Sequence, residues 1–122
     1  YATAAIVLND HWPDMRDEGF ISNRIYDVLA SGGFVLTDPV VGLDREFDGA
    51  VATWTEADDL RASIGRYLAD PALRRSMSER GRAAVLARHT FAHRVRVLAD
   101  AAGPLWDARS RIIDPGGDRP PG

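Results

Sequence analysis

A chain of 122 residues is long enough for one hydrophobic core and too short for two independent ones. Its composition, 45% hydrophobic and 27% charged, excludes disorder over most of the length, and a net charge of -3 with dispersed basic residues argues against a nucleic-acid surface. The absence of cysteine excludes disulfides and thiol nucleophiles and fits a cytoplasmic location. No apolar run approaches the roughly 18 residues that a membrane span needs. The chain begins at Tyr1 without a methionine or signal segment, so we expect a portion of a longer protein.

The first predicted element is a short strand. Residues 6–8 form a continuous apolar run that ends in Asn9 and Asp10, which is typical of a parallel strand covered on both faces. The polar segment 11–21 is predicted as a loop at the carboxyl end of that strand. His11 in this loop is interpreted as solvated, and contact with a phosphate or sugar is the alternative.

A helix and a second strand are predicted next. Ser22 is a plausible N-cap, and a Gly-Gly pair at 32–33 ends the helix. The apolar residues that recur at helical spacing between them are Ile25, Val28 and Leu29. Residues 34–37 then predict a second buried strand, and the following loop, 38–47, is expected at the same edge of the sheet as the first loop.

One more strand and two helices follow. A short strand is predicted at 50–54, and Thr55 with Asp58 resembles the capping box of a helix. Asp70 and Pro71 predict the start of the next helix, as its N-cap and its first residue.

The last predicted helix is the most regular. Thr90 is expected to cap it, its apolar residues recur every three or four positions, and it should end near Trp106. Beyond it the chain loses periodicity, so we predict one domain at 1–108 and a flexible tail at 109–122.

Strands that alternate with helices at this spacing predict an α/β fold with a parallel sheet. Such sheets bind ligands at the carboxyl ends of their strands, where both loops should lie.

Arg24 and Asp27, in the first turns of the helix that follows Ser22, allow two interpretations. They can form a solvated ion pair three residues apart, which contributes only a few tenths of a kcal/mol. Alternatively, the helix N-terminus and Arg24 bind a diphosphate while Asp27 accepts hydrogen bonds from a ribose, which is the chemistry of a nucleotide site. All basic residues of the chain are arginines, so a phosphate must be held by guanidinium groups or backbone amides.

Three stretches together carry a family resemblance: EGF at 18–20, YDVLASG at 26–32 and FVLT at 34–37. In this order and spacing they resemble the donor-binding C-terminal domain of GT-B glycosyltransferases, especially the group 1 enzymes and the subset similar to spore-coat maturation proteins. Downstream, YLADP at 67–71 and HTF at 89–91 extend the resemblance to about residue 106. The resemblance implies a Rossmann-like three-layer αβα fold.

The resemblance also implies a function. A sugar would pass from a nucleotide-sugar donor to an acceptor, with retention of configuration and without a cofactor or a required metal. In this resemblance, Glu18 takes the catalytic position near the donor sugar. Asp27 takes the position of the acidic residue that binds the ribose hydroxyls. The diphosphate would bind at Ser22, Asn23 and Arg24. The family's acceptor-binding N-terminal domain has no counterpart here, so this chain alone should be inactive.

One departure supports a rival interpretation. Glu18 and Asp27 are separated by one residue more than the family's acidic pair, as expected if the site has decayed. The alternative function is therefore a non-catalytic α/β module for nucleotide binding or association, and exposed sheet edges would permit a homodimer.

No metal site is predicted. His89 and His93 have the spacing of a helical metal pair but lack a third ligand, so they are interpreted as structural. Asp14, Asp17 and Glu18 share one loop, but nothing in the sequence fixes their geometry.

Overall fold

The computed structural model describes residues 1 and 3–113, with side chains for residues 1 and 3–105. The chain divides into two compact units, Tyr1–His89 and Thr90–Gly122, and each is described by itself. The elements of the first unit are β1 (Val7–Asn9), α1 (Pro13–Asp17), α2 (Asn23–Ala30), β2 (Val35–Thr37), α3 (Leu43–Glu46), β3 (Ala52–Thr53), α4 (Ala57–Ala69) and α5 (Pro71–Arg88). The second unit contains α6 (Phe91–Ile113).

The three strands form one parallel sheet in the order β1-β2-β3. Val7 pairs with Val35 across the first two strands, and Leu36 pairs with Ala52 across the next two. Because all three strands run in the same direction, their carboxyl ends lie at one edge, which we call the carboxyl edge. The predicted parallel sheet is confirmed.

Apolar side chains cover both faces of this sheet. On one face, α2 and α3 contribute Ile25, Val28, Leu29, Leu43 and Phe47 to a core that also holds Val35 and Val85. On the other face, Phe34, Leu36 and Ala52 pack with Tyr67 of α4 and Met77 of α5. Neighbouring strand residues point to opposite faces, so Val35 and Leu36 fall into different cores. The predicted three-layer αβα arrangement is therefore confirmed.

Several helix ends follow the local signals in the sequence. Ser22 caps α2 by accepting from the backbone N–H of Arg24 at 3.3 Å, and Asp70 caps α5 by accepting from that of Leu73 at 2.9 Å. Gly32 follows α2 with a φ of +76°, a conformation that favours glycine. At the start of α4, Thr55 bonds to the carboxylate of Asp59 rather than to that of Asp58.

Three sequence predictions need correction. The first predicted loop contains the helix α1, and the second contains α3, which is too short to show helical periodicity. Phe47 follows α3 and is fully buried. Leu8 of β1, expected to be covered, is 48% exposed. It lies on an edge strand, and the core on its face of the sheet does not include it.

In the second unit, α6 begins as predicted and ends later than predicted. The backbone N–H of His93 donates to Thr90 Oγ1 at 3.4 Å, as expected for an N-cap. The helix continues to Ile113, beyond the predicted end near Trp106, and residues 114–122 of the predicted tail lie outside the described residues. Its large apolar side chains are exposed within the described structure, with Phe91 at 91% and Leu105 at 74%. Among the described helices, none combines the length and apolar character needed to cross a membrane.

Candidate functional site

A chain of buried polar side chains lies at the carboxyl edge of the sheet. Asn9 Nδ2, at the end of β1, donates to Thr37 Oγ1 of β2 at 3.0 Å. Thr37 Oγ1 in turn donates to Asp38 Oδ1 at 3.1 Å, and His11 Nδ1 lies 2.6 Å from the same carboxylate oxygen. All four residues are at most 8% exposed. The network therefore joins the ends of two neighbouring strands to the loop that leads into α1.

His11 connects this network to the first turn of α2. Its Nε2 accepts from the backbone N–H of Ser22 at 3.0 Å, and its side chain is fully buried. Since a backbone N–H can only donate, Nε2 carries no proton, and the ring proton lies on Nδ1 and is donated to Asp38. The interpretation of His11 as a solvated loop residue is wrong, because the packing of two strand ends against a helix N-terminus encloses the ring.

The start of α2 has few free backbone donors. The Ser22 N–H is bound to His11, the Arg24 N–H to the Ser22 hydroxyl, and the Ile25 N–H to the Ser22 carbonyl at 3.0 Å. Within the described structure, the Asn23 N–H remains without an acceptor. Asn23 itself is exposed, so this amide is available to a ligand at the positive end of the helix.

Arg24 and Asp27 do not form the ion pair that was the simpler interpretation. Both side chains are exposed, and in the described part of the chain neither has a hydrogen-bond or ion-pair partner. The backbone carbonyl of Asp27 accepts a hydrogen bond from the Ser31 hydroxyl. One guanidinium and one carboxylate are thus available on consecutive turns of α2, beside the free amide.

Glu18 lies on the loop between α1 and α2. It is the C-terminal cap of α1, its N–H donates to the Asp14 carbonyl at 3.0 Å, and its side chain is exposed. A Cβ built on the next residue, Gly19, would lie 3.5 Å from the carbonyl oxygen of Val41 in the loop after β2. The two loops at the carboxyl edge are therefore in contact, and Glu18 belongs to the same edge as α2. Its role at the donor sugar stays a prediction.

A second polar cluster, which was not predicted, holds α3 against α2. The Tyr26 hydroxyl donates to Glu46 Oε1 at 3.1 Å, and His89 Nδ1 lies 3.5 Å from that same oxygen. The rings of Tyr26 and His89 both pack on Phe47. No local pattern signals this cluster, because its members lie far apart in the sequence. The interpretation of His89 as a structural residue fits these contacts.

Clefts of a few hundred Å³ lie elsewhere in the described part of the chain, and two of them bear on the predicted site. One of about 270 Å³ is lined by residues of the loop after β2, of α3 and by Thr53. Another of about 360 Å³ lies at the opposite edge of the sheet, between the starts of β1 and β2 and one face of α5. Neither of these two clefts is lined by Glu18 or by residues 22–27, and the side chains of Glu18, Arg24 and Asp27 are exposed. Among the described residues, no three His, Asp or Glu side chains are grouped to hold a metal ion.

Comparison with known proteins shows a family match. The model of a family described as glycosyl transferase-like matches residues 1–100, which include the sheet, α1 to α5 and the start of α6. No curated protein and no solved structure matches the chain.

Proposed function

The chain belongs to the glycosyl transferase-like family, and from that premise we propose that it is the donor-binding portion of a GT-B enzyme of the group 1 type, in the subset similar to spore-coat maturation proteins. It binds a nucleotide-sugar, whose sugar passes to an acceptor held by a further domain. Retention of configuration, independence from metal and inactivity of this portion alone are parts of the same proposal.

The observation that carries the proposal is the first half of α2. Its N-terminus lies at the carboxyl edge of the parallel sheet, where open α/β sheets bind their ligands. Three exposed residues lie together there, Asn23, Arg24 and Asp27. Among the described residues, the Asn23 amide, the Arg24 guanidinium and the Asp27 carboxylate have no partner. A nucleoside diphosphate offers an anion and a diol, which match these donors and this acceptor.

Each residue has one role in the proposed site. The Asn23 amide and the Arg24 guanidinium bind the diphosphate, and Ser22 holds the turn that presents them. The Asp27 carboxylate accepts hydrogen bonds from the ribose hydroxyls, and Glu18 contacts the donor sugar. When the bond between sugar and diphosphate breaks, negative charge grows on the leaving diphosphate, and the fixed positive groups at the start of α2 stabilise it.

The change that tests the site directly is Asp27→Asn. A carboxylate that accepts from a ribose forms a charged hydrogen bond, so its loss should weaken nucleotide binding by about 1–3 kcal/mol. We would titrate the intact protein with UDP, GDP and dTDP by calorimetry and expect saturable binding of one of them. The result would also identify the base.

The matched control is Asp100→Asn, the same change at an exposed position of α6. It should leave nucleotide affinity within about twofold, since it removes charge without a contact. Absence of binding by the folded intact protein would contradict the proposal.

Glu18→Gln should separate the sugar from the nucleotide. If Glu18 contacts only the sugar, the affinity for the nucleoside diphosphate stays unchanged, whereas the affinity for the matching nucleotide-sugar falls about three- to tenfold. Both values come from the same titration series. Equal weakening of both ligands would assign Glu18 to the nucleotide or to the stability of the loop instead.

The second candidate function is a non-catalytic association module. The exposed apolar side chains of α6 favour it, since exposed apolar patches often mark interaction surfaces. A homodimer and a cytoplasmic location stay predictions. Sedimentation of the intact protein tests the dimer, and the calorimetric result decides between the two functions.

A further inference from the structure

His11 joins the strand ends to the candidate donor site. Its ring is fully buried, and both nitrogens are engaged, Nδ1 with Asp38 at 2.6 Å and Nε2 with the backbone N–H of Ser22 at 3.0 Å. A buried ring with two short and directional contacts has little freedom to turn. The position of the Ser22 amide is therefore fixed relative to the carboxyl edge of the sheet.

The network also fixes the tautomer of His11. Asp38 Oδ1 receives hydrogen bonds from His11 Nδ1 and from Thr37 Oγ1, and Thr37 receives one from Asn9. This arrangement keeps the ring proton on Nδ1 and the Nε2 lone pair directed at Ser22. Since that lone pair is occupied, His11 is not available as a general base in this geometry.

Ser22 is the N-cap of α2, so whatever fixes Ser22 also orients the turn that follows. The Ser22 N–H donates to His11, and the Arg24 N–H donates to the Ser22 hydroxyl. In the described structure, the Asn23 N–H is therefore the donor of this turn that remains free. A shift of Ser22 would change the direction of the Asn23 amide and of the Arg24 side chain together. A displacement of about 1 Å at such groups is enough to impair binding and catalysis.

We propose that His11 is a positioning residue of the donor site, which acts through its unprotonated Nε2 on the Ser22 amide and thereby aims the first turn of α2 at the diphosphate. The inference rests on the proposed function. It goes further in assigning a task to the strand-end network, in which Asp38 fixes the tautomer of His11 and Thr37 holds Asp38.

Two substitutions separate the two contacts of His11. The amide of asparagine lies near the position of Nδ1, so His11→Asn can still donate to Asp38 but leaves the Ser22 amide without an acceptor. The amide of glutamine reaches the position of Nε2, so His11→Gln can still accept from Ser22 but loses the bond to Asp38. Each variant keeps a buried polar group and loses one hydrogen bond. The bond that His11→Gln loses ends on a carboxylate, so His11→Gln should be at least as destabilised as His11→Asn.

The test measures nucleoside diphosphate affinity by calorimetry and hydrogen exchange of the Ser22 amide by NMR, both on the intact protein. We expect His11→Asn to lose about three- to tenfold in affinity and His11→Gln to stay within about twofold of the wild type. The Ser22 amide should exchange faster in His11→Asn alone. This difference is not expected if His11 merely stabilises the fold, because His11→Gln would then lose at least as much affinity as His11→Asn.

The positioning role would be overturned by equal nucleotide affinities in the two variants, or by an unchanged exchange rate of the Ser22 amide in His11→Asn. Nucleotide binding by the wild type would still support the proposed function in that case. If the wild type binds no nucleotide, the proposed function fails and the positioning role fails with it. The two failures are therefore distinguished by the wild-type titration.

Discussion

Phe47→Ala is expected to lower the free energy of unfolding by about 3–5 kcal/mol, the range for truncating a fully buried phenylalanine. Phe47 is 0% exposed and packs edge-on against Tyr26, with ring centroids 5.0 Å apart. Loss of the Phe47 ring would open a cavity between α2, α3 and the sheet. Tyr26 could not move in to fill this cavity, because its hydroxyl is hydrogen-bonded to Glu46. Urea unfolding followed by circular dichroism measures the change.

Phe20→Ala is the matched control. This side chain is 61% exposed, so the same truncation should change the free energy of unfolding by no more than about 0.5 kcal/mol. If both variants lose little, Phe47 does not contribute to a packed core, and the placement of α3 against α2 is wrong. If Phe20→Ala also loses several kcal/mol, the exposed position of the loop before α2 is wrong.

The elements that could be predicted from the sequence are those whose signals are local. Ser22 and Asp70 mark helix starts with their own side chains, and the apolar residues of α2 recur at the helical period. The parallel sheet followed from short apolar runs that alternate with helices. These features need no knowledge of distant contacts, and the structure confirms each of them.

The missed features depend on tertiary contacts. Phe47 follows a four-residue helix, too short to have a period, and its burial results from packing against α2. His11 is buried because Asp38 and Ser22, which are distant in sequence, meet it at the carboxyl edge. A lone histidine in a polar segment carries no sequence signal of such partners.

The candidate site stands between these cases. Placing Arg24 and Asp27 on the exposed side of α2 required only the helical wheel, and the structure agrees. Whether the two side chains pair with each other depends on rotamers, which the sequence does not specify, and the ion pair is absent between these described residues. The free Asn23 amide was not predicted either. Its availability depends on the hydrogen bonds that the Ser22 and Arg24 N–H groups donate to His11 and to the Ser22 hydroxyl.

Leu29→Ala is expected to lower the free energy of unfolding by about 2–5 kcal/mol, because Leu29 is fully buried in the core beneath α2. The control is Leu86→Ala on α5, where the side chain is 48% exposed and the loss should be clearly smaller. Urea unfolding measures both variants. Nucleotide affinity should fall with Leu29→Ala as well if this contact holds α2, which carries Asp27, in place.

The partner of Leu29 across the helix interface is Gly81 of α5, and the two positions should be coupled. A Cβ on Gly81 would lie 2.6 Å from Leu29 Cδ2, closer than side chains tolerate, so Gly81→Ala alone should destabilise the protein. In the Leu29→Ala background the clash is gone, and the same change should stabilise by up to about 1 kcal/mol, as alanine replaces glycine within a helix. Gly65→Ala in α4, with open space around the new methyl group, should stabilise in either background. A Gly81→Ala effect of the same sign and size with and without Leu29 would show that α2 and α5 do not pack through this pair.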